Sequence, residues 1–196
     1  MPRRRRNWRP NAYYHVVMRG NNRQNIFETH EDQMNLMRAF NYTYSKYPFT
    51  LLAYCIMTNH YHLLIRSEVD LSKVMAYINR RYSDYYSKRY QHVGRIYEKR
   101  YYSALVDGPN AILSVSNYIH RNPIETKIPL VENLEDYPYS SFPFYADEKK
   151  TPPRFLDTGF VAAYLPKEYE KSNQAYCHYC KVYRHDIEED RRIVSK

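Results

Sequence analysis

The chain has 196 residues, enough for one domain with a hydrophobic core and a short added segment. It carries 30 Lys and Arg against 21 Asp and Glu, a formal net charge of +9, which favours a polyanionic partner. Its 24 tyrosines supply flat rings on which unpaired bases can stack, although many could equally fill a core in place of Phe. No apolar stretch is as long as a membrane span, which argues against a membrane partner.

The compartment is suggested by the cysteines and by the start of the chain. There are three cysteines, and the basic start Met1–Arg9 is not followed by the apolar segment of a secretory signal. A reducing, cytoplasmic location is therefore expected. Cys55 lies in an apolar run and is expected to be a small buried hydrophobic residue.

Residues 1–11 form a basic N-terminal arm. Its run Arg3, Arg4, Arg5 and Arg6 repels itself in solution, and contacts with phosphates could order it. One interpretation is a clamp on the DNA backbone, and the other is a solvated terminus.

The first strand and helix follow the arm. Tyr13–Met18 is β-branched and aromatic, and the polar loop after it is flanked by Arg19 and Arg23. Thr29 followed by Asp32 resembles a capping box, so an amphipathic helix is predicted from there to about Lys46.

A tight hairpin is predicted next, because Leu51–Met57 and Leu63–Ile65 are strand-like and Thr58-Asn59 is turn-like. His60 and His62 open its second strand. Residues two apart on a strand share a face, so the two imidazoles would point the same way and form half of a metal site. Two histidines on a strand can also be ordinary polar residues.

A second helix, capped by Asp70 or a neighbour, is predicted after the hairpin. Arg80 and Arg81 lie among its apolar positions and could meet phosphates, or could belong to the solvated back of a core helix. Tyr101–Val106 then reads as a strand before another helix. The order strand, helix, hairpin, helix, strand, helix predicts an α+β fold with a ferredoxin-like or RNA-recognition-type antiparallel sheet and helices on one side.

The last of these helices carries the remaining candidate site residues. Tyr118 and Asn122 are four residues apart and share a helix face, whereas His120 points elsewhere. Asn122 could give its carbonyl oxygen to a hard cation beside the histidines, and Tyr118 is a possible nucleophile. Pro123 makes Asn122 the last helical residue or the first one past the helix.

These motifs together resemble the HUH single-tyrosine transposases, in particular the branch associated with repetitive extragenic palindromes (REP). The resemblance covers roughly residues 12–145, the expected HUH-type nuclease and transposase domain. It rests on the following segments in order: Tyr14–Arg23, His60-Tyr61-His62, Gly94–Tyr101, Tyr118–Pro123 and Asp136–Ser141.

The resemblance implies cleavage of single-stranded DNA beside a hairpin and transfer of the cut strand. It implies Mg²⁺ or Mn²⁺ held by His60, His62 and Asn122, and attack by Tyr118 to give a 5′-phosphotyrosine. DNA contacts are expected from the basic residues Arg3, Arg4, Arg5, Arg6, Arg19, Arg23, Arg80, Arg81 and Arg100. The active form could be a monomer or a homodimer.

Two rival functions use the same fold. A non-catalytic RNA-recognition-type module would explain the basic charge and the tyrosines, but it leaves the histidines and the Tyr118/Asn122 pair without a purpose. A metal-dependent phosphodiesterase that uses water would make Tyr118 structural.

Residues 146–196 are predicted to be a connector and a helical C-terminal appendage, with Phe160, Tyr164 and Leu165 as possible docking residues. Cys177 and Cys180, with His185 nearby, permit a zinc site, but a second well-spaced ligand pair is missing. The default interpretation of this stretch is a solvent-facing part of a terminal helix.

Overall fold

The computed structural model describes residues 8–183. The arginines of the N-terminal arm, Arg3–Arg6, and His185 lie outside the described residues. The elements that position the site are, in chain order, β1 (Tyr13–Arg19), α1 (His30–Lys46), β2 (Phe49–Ile56), β3 (His60–Ser67), α2 (Leu71–Tyr90), β4 (Tyr102–Val106) and α3 (Pro109–Arg121). This order is the predicted one.

The four strands form one antiparallel sheet in the order β2-β3-β1-β4. The hairpin predicted around Thr58-Asn59 is present, and Met57 closes it by donating its N–H to the carbonyl of His60 at 2.8 Å. In the register, Arg19 lies opposite His60 and Val17 opposite His62. The predicted α+β antiparallel fold is confirmed.

Helices α1 and α2 cover one face of the sheet. Alternate strand residues such as Val16, Leu63 and Ile65 are buried against apolar residues of both helices. Both predicted helix starts are confirmed: Asp32 accepts the N–H of Thr29 at 2.8 Å, and Asp70 accepts that of Ser72 at 2.7 Å. These caps satisfy donors that the first helical turn leaves without partners.

The expectation of helices on one side holds for α1 and α2 only. Helix α3 packs on the opposite face, where Leu64 joins a second apolar cluster with Ile112, Val115 and Ile119. This face has its own buried layer because α3 is strongly amphipathic and directs its apolar stripe at the sheet. The sheet therefore lies between two helical layers, with α1 and α2 on one face and α3 on the other.

The segment after α3 packs back on the domain, as predicted. Tyr137 donates its hydroxyl to the carbonyl of Ile56 at 2.7 Å, and Ile56 donates its N–H to the carbonyl of Tyr139 at 2.9 Å. The short helix α4 (Phe142–Ala146) follows, with Phe142 and Tyr145 buried in the second cluster. Residues 137–141 thus cover the open edge of β2, which would otherwise expose unpaired backbone groups.

The expected helical appendage is corrected by the structure. Phe155 is fully buried against Phe40 and Phe49, in the apolar cluster between the sheet and helices α1 and α2. Its carbonyl accepts the N–H of Leu51 at 2.7 Å. Of the predicted docking residues, Leu165 is buried in the second cluster, and Phe160 and Tyr164 are partly buried and pack against that cluster. The described part of this segment is integral to both cores.

Helix α5 (Asn173–Val182) carries the cysteine pair and is not solvent-facing, contrary to the default interpretation. Cys177 and Cys180 are buried against α3 and α4, and burial raises the pKa of the Cys177 thiol to about 12. The spacing of three residues places both thiols on the buried face of the helix. Cys55 is also buried, as predicted. Among the described residues, no helix is both long and apolar enough to cross a membrane.

Candidate active site

Three histidines meet on the sheet face that α3 covers. His60 and His62 come from β3, and His15 comes from the neighbouring strand β1. Nε2 of His15 lies 3.0 Å from Nδ1 of His62, with the two rings stacked at 5.3 Å between centroids. The predicted His60/His62 pair is therefore part of a triplet in which His15 and His62 are fully buried and His60 is partly exposed.

The turn before β3 holds His60. Nδ1 of His60 lies 2.6 Å from Oδ1 of Asn59, and Nδ2 of Asn59 donates to the carbonyl of Arg23 at 3.1 Å. The ring of His60 stands nearly perpendicular to that of His62, with 4.8 Å between centroids. Each ring of the pair thus has its Nδ1 engaged by a neighbour.

All three imidazoles are neutral at neutral pH. Burial, aided by the positive charge of Arg19, lowers the pKa of His60 to about 4. Burial alone lowers the pKa of His15 to about 4, and burial followed by His60, His15 and Arg19 lowers the pKa of His62 well below its usual value. A neutral imidazole keeps a lone pair on one ring nitrogen, and this neutral form is the one that binds a cation.

Helix α3 brings Tyr118 onto this triplet. The Tyr118 ring meets His62 edge-on at 5.5 Å between centroids and 83°, and meets His15 at 5.8 Å and 74°. Tyr118 comes from a covering helix more than fifty residues after the hairpin. The Tyr118 ring therefore contacts His62, one member of the predicted pair, together with His15.

The other face of α3 is fixed to the C-terminal segment. His120 lies 2.8 Å from the Tyr176 hydroxyl through Nδ1 and 2.7 Å from the Ser141 hydroxyl through Nε2. Arg121 pairs with Glu125 at 2.7 Å and donates to the carbonyl of Cys180 at 2.5 Å. His120 points away from the triplet, as predicted, and holds the helix that carries Tyr118.

Asn122 directly follows α3 and keeps helical backbone angles despite Pro123. Its Nδ2 donates to the carbonyl of Tyr118 at 2.8 Å. This bond occupies the amide nitrogen and leaves Oδ1 as the acceptor end of the side chain, the end that could ligate a hard cation.

One nitrogen of this site could be satisfied by a divalent cation. Nε2 of His62 is buried and has no hydrogen-bond partner within residues 8–183, and an orphaned buried nitrogen of this kind needs a partner. The same residues contain no group of three or more His, Cys, Asp or Glu arranged to hold a metal ion. A cation here would therefore use the two histidines with an amide or substrate oxygen.

The predicted DNA-binding arginines fall in two places. Arg19 lies beside the histidines, and the segment that carries Arg100 is joined to the end of β1 by the bonds Asn21 N–H to Ile96 carbonyl and Glu98 N–H to Arg19 carbonyl. Arg23 lies in the adjoining turn and is exposed. These three belong to the histidine end of the sheet.

Arg80 and Arg81 lie elsewhere, on the exposed side of α2. Arg81 covers the ring of Tyr42 on α1 at 4.1 Å, and Arg80 is 3.9 Å from Asp84. Since α2 packs on the face opposite α3, the sheet separates these two arginines from Tyr118.

His15 is the site residue that sequence reasoning missed. The sequence places it only within the first strand, and its partner depends on the β1–β3 register. The available signal is its place in an alternating strand that ends at Arg19, because His15, Val17 and Arg19 must share one face. Which face that is follows only from the pairing with β3.

A His-x-His pair on a central antiparallel strand, met by a tyrosine from a covering helix, is the arrangement that the resemblance to single-tyrosine transposases predicts. Residues 9–122 match the model of the family described as "Transposase IS200 like". This match spans more than half of the chain, so the chain belongs to the IS200-like transposase family.

Two relatives agree with this assignment. A Haemophilus influenzae protein with the provisional name REP-associated tyrosine transposase is 29% identical over 125 residues, which cover 57% of this chain and 69% of the relative. A solved structure of a REP-associated tyrosine transposase bound to a REP hairpin has a TM-score of 0.63 at 20% identity, covering 82% of this chain and 93% of that one. Similarity at this level supports the fold.

Proposed function

We propose that this transposase is a metal-dependent single-stranded DNA endonuclease and strand transferase that acts at hairpin sites through a 5′-phosphotyrosine intermediate. The observation that carries the proposal is the position of the Tyr118 ring against His62. A phenol, a possible nucleophile, lies in edge-on contact with the imidazoles of His62 and His15, both of which are buried and neutral.

The hairpin substrate is supported by the similar solved structure, which has a REP hairpin bound. The relative from Haemophilus influenzae carries the name of the same branch. A net charge of +9 fits a folded DNA strand, whose phosphates attract Lys and Arg regardless of sequence.

The chemistry follows from the phenol. The Tyr118 oxygen attacks the scissile phosphorus, the new O–P bond replaces the bond to the 3′ oxygen, and that oxygen leaves as a 3′-hydroxyl after taking up a proton. Mg²⁺ or Mn²⁺ held by His60, His62 and Asn122 would polarise the phosphate and offset its developing charge. A phenol has a pKa of about 10 in water, so attack at neutral pH requires loss of its proton near the site.

Rejoining uses the same bond in reverse. The 3′-hydroxyl of another strand attacks the phosphotyrosine, forms the new phosphodiester and returns Tyr118 to its phenol form. The free energy of the cut bond is kept in the intermediate. Strand transfer therefore needs no nucleotide cofactor.

DNA contacts are proposed in two groups. Arg19, Arg23 and Arg100 lie at the histidine end and would contact phosphates next to the cut. Arg80 and Arg81 would contact more distant parts of the hairpin, and the N-terminal run Arg3–Arg6, which lies outside the described residues, would add phosphate contacts. Phosphate contacts of this kind set position and affinity but carry no base sequence.

The site is proposed to form within one chain. Helix α3 is held to its own chain through His120, which contacts Ser141 and Tyr176, and through the contact of Arg121 with Cys180. Exchanging this helix alone with a second copy would break these buried contacts, and exchanging it together with the segment after it would break the bond from the Tyr54 N–H to Ser141. A monomer is then sufficient for cleavage, and a homodimer would have two complete sites.

The experiment incubates the full chain with labelled single-stranded hairpin DNA and Mn²⁺, then looks for DNA attached to protein on a denaturing gel. Tyr118→Phe removes one oxygen and is expected to abolish the adduct while hairpin affinity stays within about threefold. Tyr42→Phe, which removes the same oxygen from an exposed ring on α1, is the matched control and should form the adduct normally.

Each rival function gives a distinct result. Cleavage that survives Tyr118→Phe would indicate a phosphodiesterase that uses water. Hairpin binding without cleavage in Mg²⁺ or Mn²⁺ would indicate a non-catalytic module. Adduct formation without rejoining to a second strand would leave an endonuclease and exclude strand transfer.

A further inference from the structure

We propose that Asn59 and His15 are positioning residues that fix the proton on Nδ1 of His60 and of His62, so that both Nε2 atoms present lone pairs to one divalent cation. This role rests on the proposed function, because it presupposes the cation. It concerns two residues that the proposed chemistry has not yet used. The position of each proton is decided by which atoms can donate a hydrogen bond and which can only accept one.

The proton on His60 is fixed by a chain of three groups. The carbonyl of Arg23 can only accept, so the nitrogen end of the Asn59 amide must face it, at 3.1 Å. The oxygen end then faces Nδ1 of His60 at 2.6 Å and can also only accept. Nδ1 must therefore carry the hydrogen. Since a neutral imidazole has a single N–H, Nε2 of His60 keeps its lone pair.

The 3.0 Å contact between His15 and His62 has two possible proton arrangements. If Nε2 of His15 donates, Nδ1 of His62 is the acceptor, and the single proton of His62 sits on Nε2, where it blocks a cation. If Nδ1 of His62 donates, Nε2 of His62 is a lone pair. Nε2 of His62 is buried and has no hydrogen-bond partner in the described part of the chain. Nδ1 of His15 is also buried without a hydrogen-bond partner among residues 8–183, so either arrangement leaves that ring nitrogen unpaired. Only the second arrangement leaves Nε2 of His62 with a lone pair for the proposed cation.

The same arrangement limits what His15 can do. With its Nε2 accepting from His62, the proton of neutral His15 sits on Nδ1. A nitrogen that carries a proton cannot take another from the phenol of Tyr118, although the two rings are in contact at 5.8 Å. His15 is therefore a positioning residue while the cation is bound, and it is not the base for Tyr118.

The first test reads the tautomers directly in the metal-free full chain. Two-bond ¹⁵N–¹H spectra of protein labelled at histidine nitrogens distinguish Nδ1–H from Nε2–H near neutral pH. Single His→Gln variants assign the signals of the eight histidines. The expected result is Nδ1–H at both His60 and His62. A signal from Nε2–H at His62 would overturn the assignment, whether or not the protein cleaves DNA.

The second test measures Mn²⁺ affinity by titration calorimetry without DNA. His15→Gln places an amide oxygen near the position of Nε2 and is expected to keep the affinity within about threefold. His15→Phe keeps a ring of similar shape but accepts no hydrogen bond, and it should lower the affinity by about 10–100-fold. Equal affinities for the two variants would contradict the role of His15.

Two further variants separate the possible failures. Asn59→Ala, at a partly exposed position, should also lower Mn²⁺ affinity, and it remains available if His15→Phe does not fold. His62→Ala tests the cation site itself. If wild type and His62→Ala bind Mn²⁺ equally, the proposed metal site is wrong, and the tautomer spectra still decide the proton positions independently.

Discussion

Nε2 of His120 lies 2.7 Å from Oγ of Ser141, and this contact ties the helix that carries Tyr118 to the segment that covers β2. The same Oγ accepts the N–H of Tyr54 at 2.9 Å. Ser141 is fully buried, so removing its hydroxyl would leave the Tyr54 N–H and Nε2 of His120 without this hydrogen-bond partner. The segment after α3 thereby supports the helix that carries Tyr118.

Ser141→Ala is therefore expected to lower the free energy of unfolding by about 2 kcal/mol, the usual cost of leaving buried hydrogen-bonding groups without partners. Urea unfolding measures the change. Ser45→Ala is the matched control, because Ser45 is exposed on α1 and bonds only to the carbonyl of Asn41. If both variants lose the same small amount, the contact with His120 does not stabilise the helix.

The two histidines of β3 should be essential for cleavage. His60→Ala and His62→Ala each remove an imidazole from the proposed cation site, and cleavage is expected to fall at least 100-fold in either metal. Hairpin affinity should change by less than about threefold, because the arginines remain. Cleavage and binding are measured on the same DNA.

His30→Ala controls for the loss of a histidine, since His30 is exposed and contacts Tyr139 at the start of α1. It should cleave at the wild-type rate. Activity that persists in both β3 variants would exclude a metal role for the pair.

The positions of the arginines predict unequal effects on DNA cleavage. Arg19 lies beside His60 on the active face, whereas Arg81 lies behind the sheet on α2. Arg19→Ala should reduce cleavage strongly. It should also lower the slope of log affinity against log salt concentration by about one, the change expected for the loss of one phosphate contact. Arg81→Ala should change cleavage by less than about threefold. The opposite ranking would place the cut strand on the α2 side.

Much of this fold is readable from the sequence because its signals are local. The Thr29/Asp32 capping box, the turn at Thr58-Asn59 and the alternating apolar strands each depend on residues within a few positions. Signals of this kind place the four strands within about two residues, together with helix α1 and the start of α2. The predicted pairing of His60 with His62 follows from the same period of two.

The remaining parts depend on distant contacts. Phe155 looks like part of an appendage in the sequence, but it fills a space between Phe40 and Phe49 that only the folded sheet creates. Cys177 and Cys180 resemble half of a zinc site, yet they face α3 and α4. His15 joins the site through a strand register that no local signal specifies.

Gly20 should tolerate no side chain. A Cβ built there would meet the Gln24 carbonyl oxygen at 2.4 Å and the Ile26 side chain at 2.9 Å, and Gly20 also donates its N–H to the Asn59 carbonyl at 2.8 Å. Gly20→Ala is expected to destabilise the protein by about 2 kcal/mol and to disturb the turn that holds His60.

Thermal unfolding and Mn²⁺ titration measure the two effects of Gly20→Ala. Gly159→Ala is the control, because its Cβ would meet only an ordinary contact with Asp157 at 3.6 Å. Wild-type stability in Gly20→Ala would mean that the turn can move aside. It would also show that folding does not require the close approach of Gly20 to Gln24 and Ile26.

The buried carboxylate of Asp32 on α1 accepts hydrogen bonds from tyrosines on α2, and we expect this packing of α1 on α2 to weaken at acid pH. Burial raises its pKa, but hydrogen bonds from Tyr90, the Thr29 N–H, Tyr85 and the Glu28 N–H outweigh burial and leave the pKa below its usual value. A lowered carboxyl pKa means that the folded state binds its proton less readily than the unfolded chain. The stabilisation is therefore fully present above pH 4 and is lost as the pH falls below about 4.

Asp32→Asn is expected to cost about 3 kcal/mol at neutral pH, because an amide nitrogen would face donors and the charge-assisted bonds would be lost. The difference between wild type and variant should shrink as the pH falls below about 4, since wild type then loses the same charge. Urea unfolding at a series of pH values measures this difference. Asp84→Asn, at an exposed residue of α2 that is 3.9 Å from Arg80, should differ from wild type by less than about 0.5 kcal/mol at every pH. A constant difference between wild type and Asp32→Asn across the acid range would show that the carboxylate charge does not hold the two helices together.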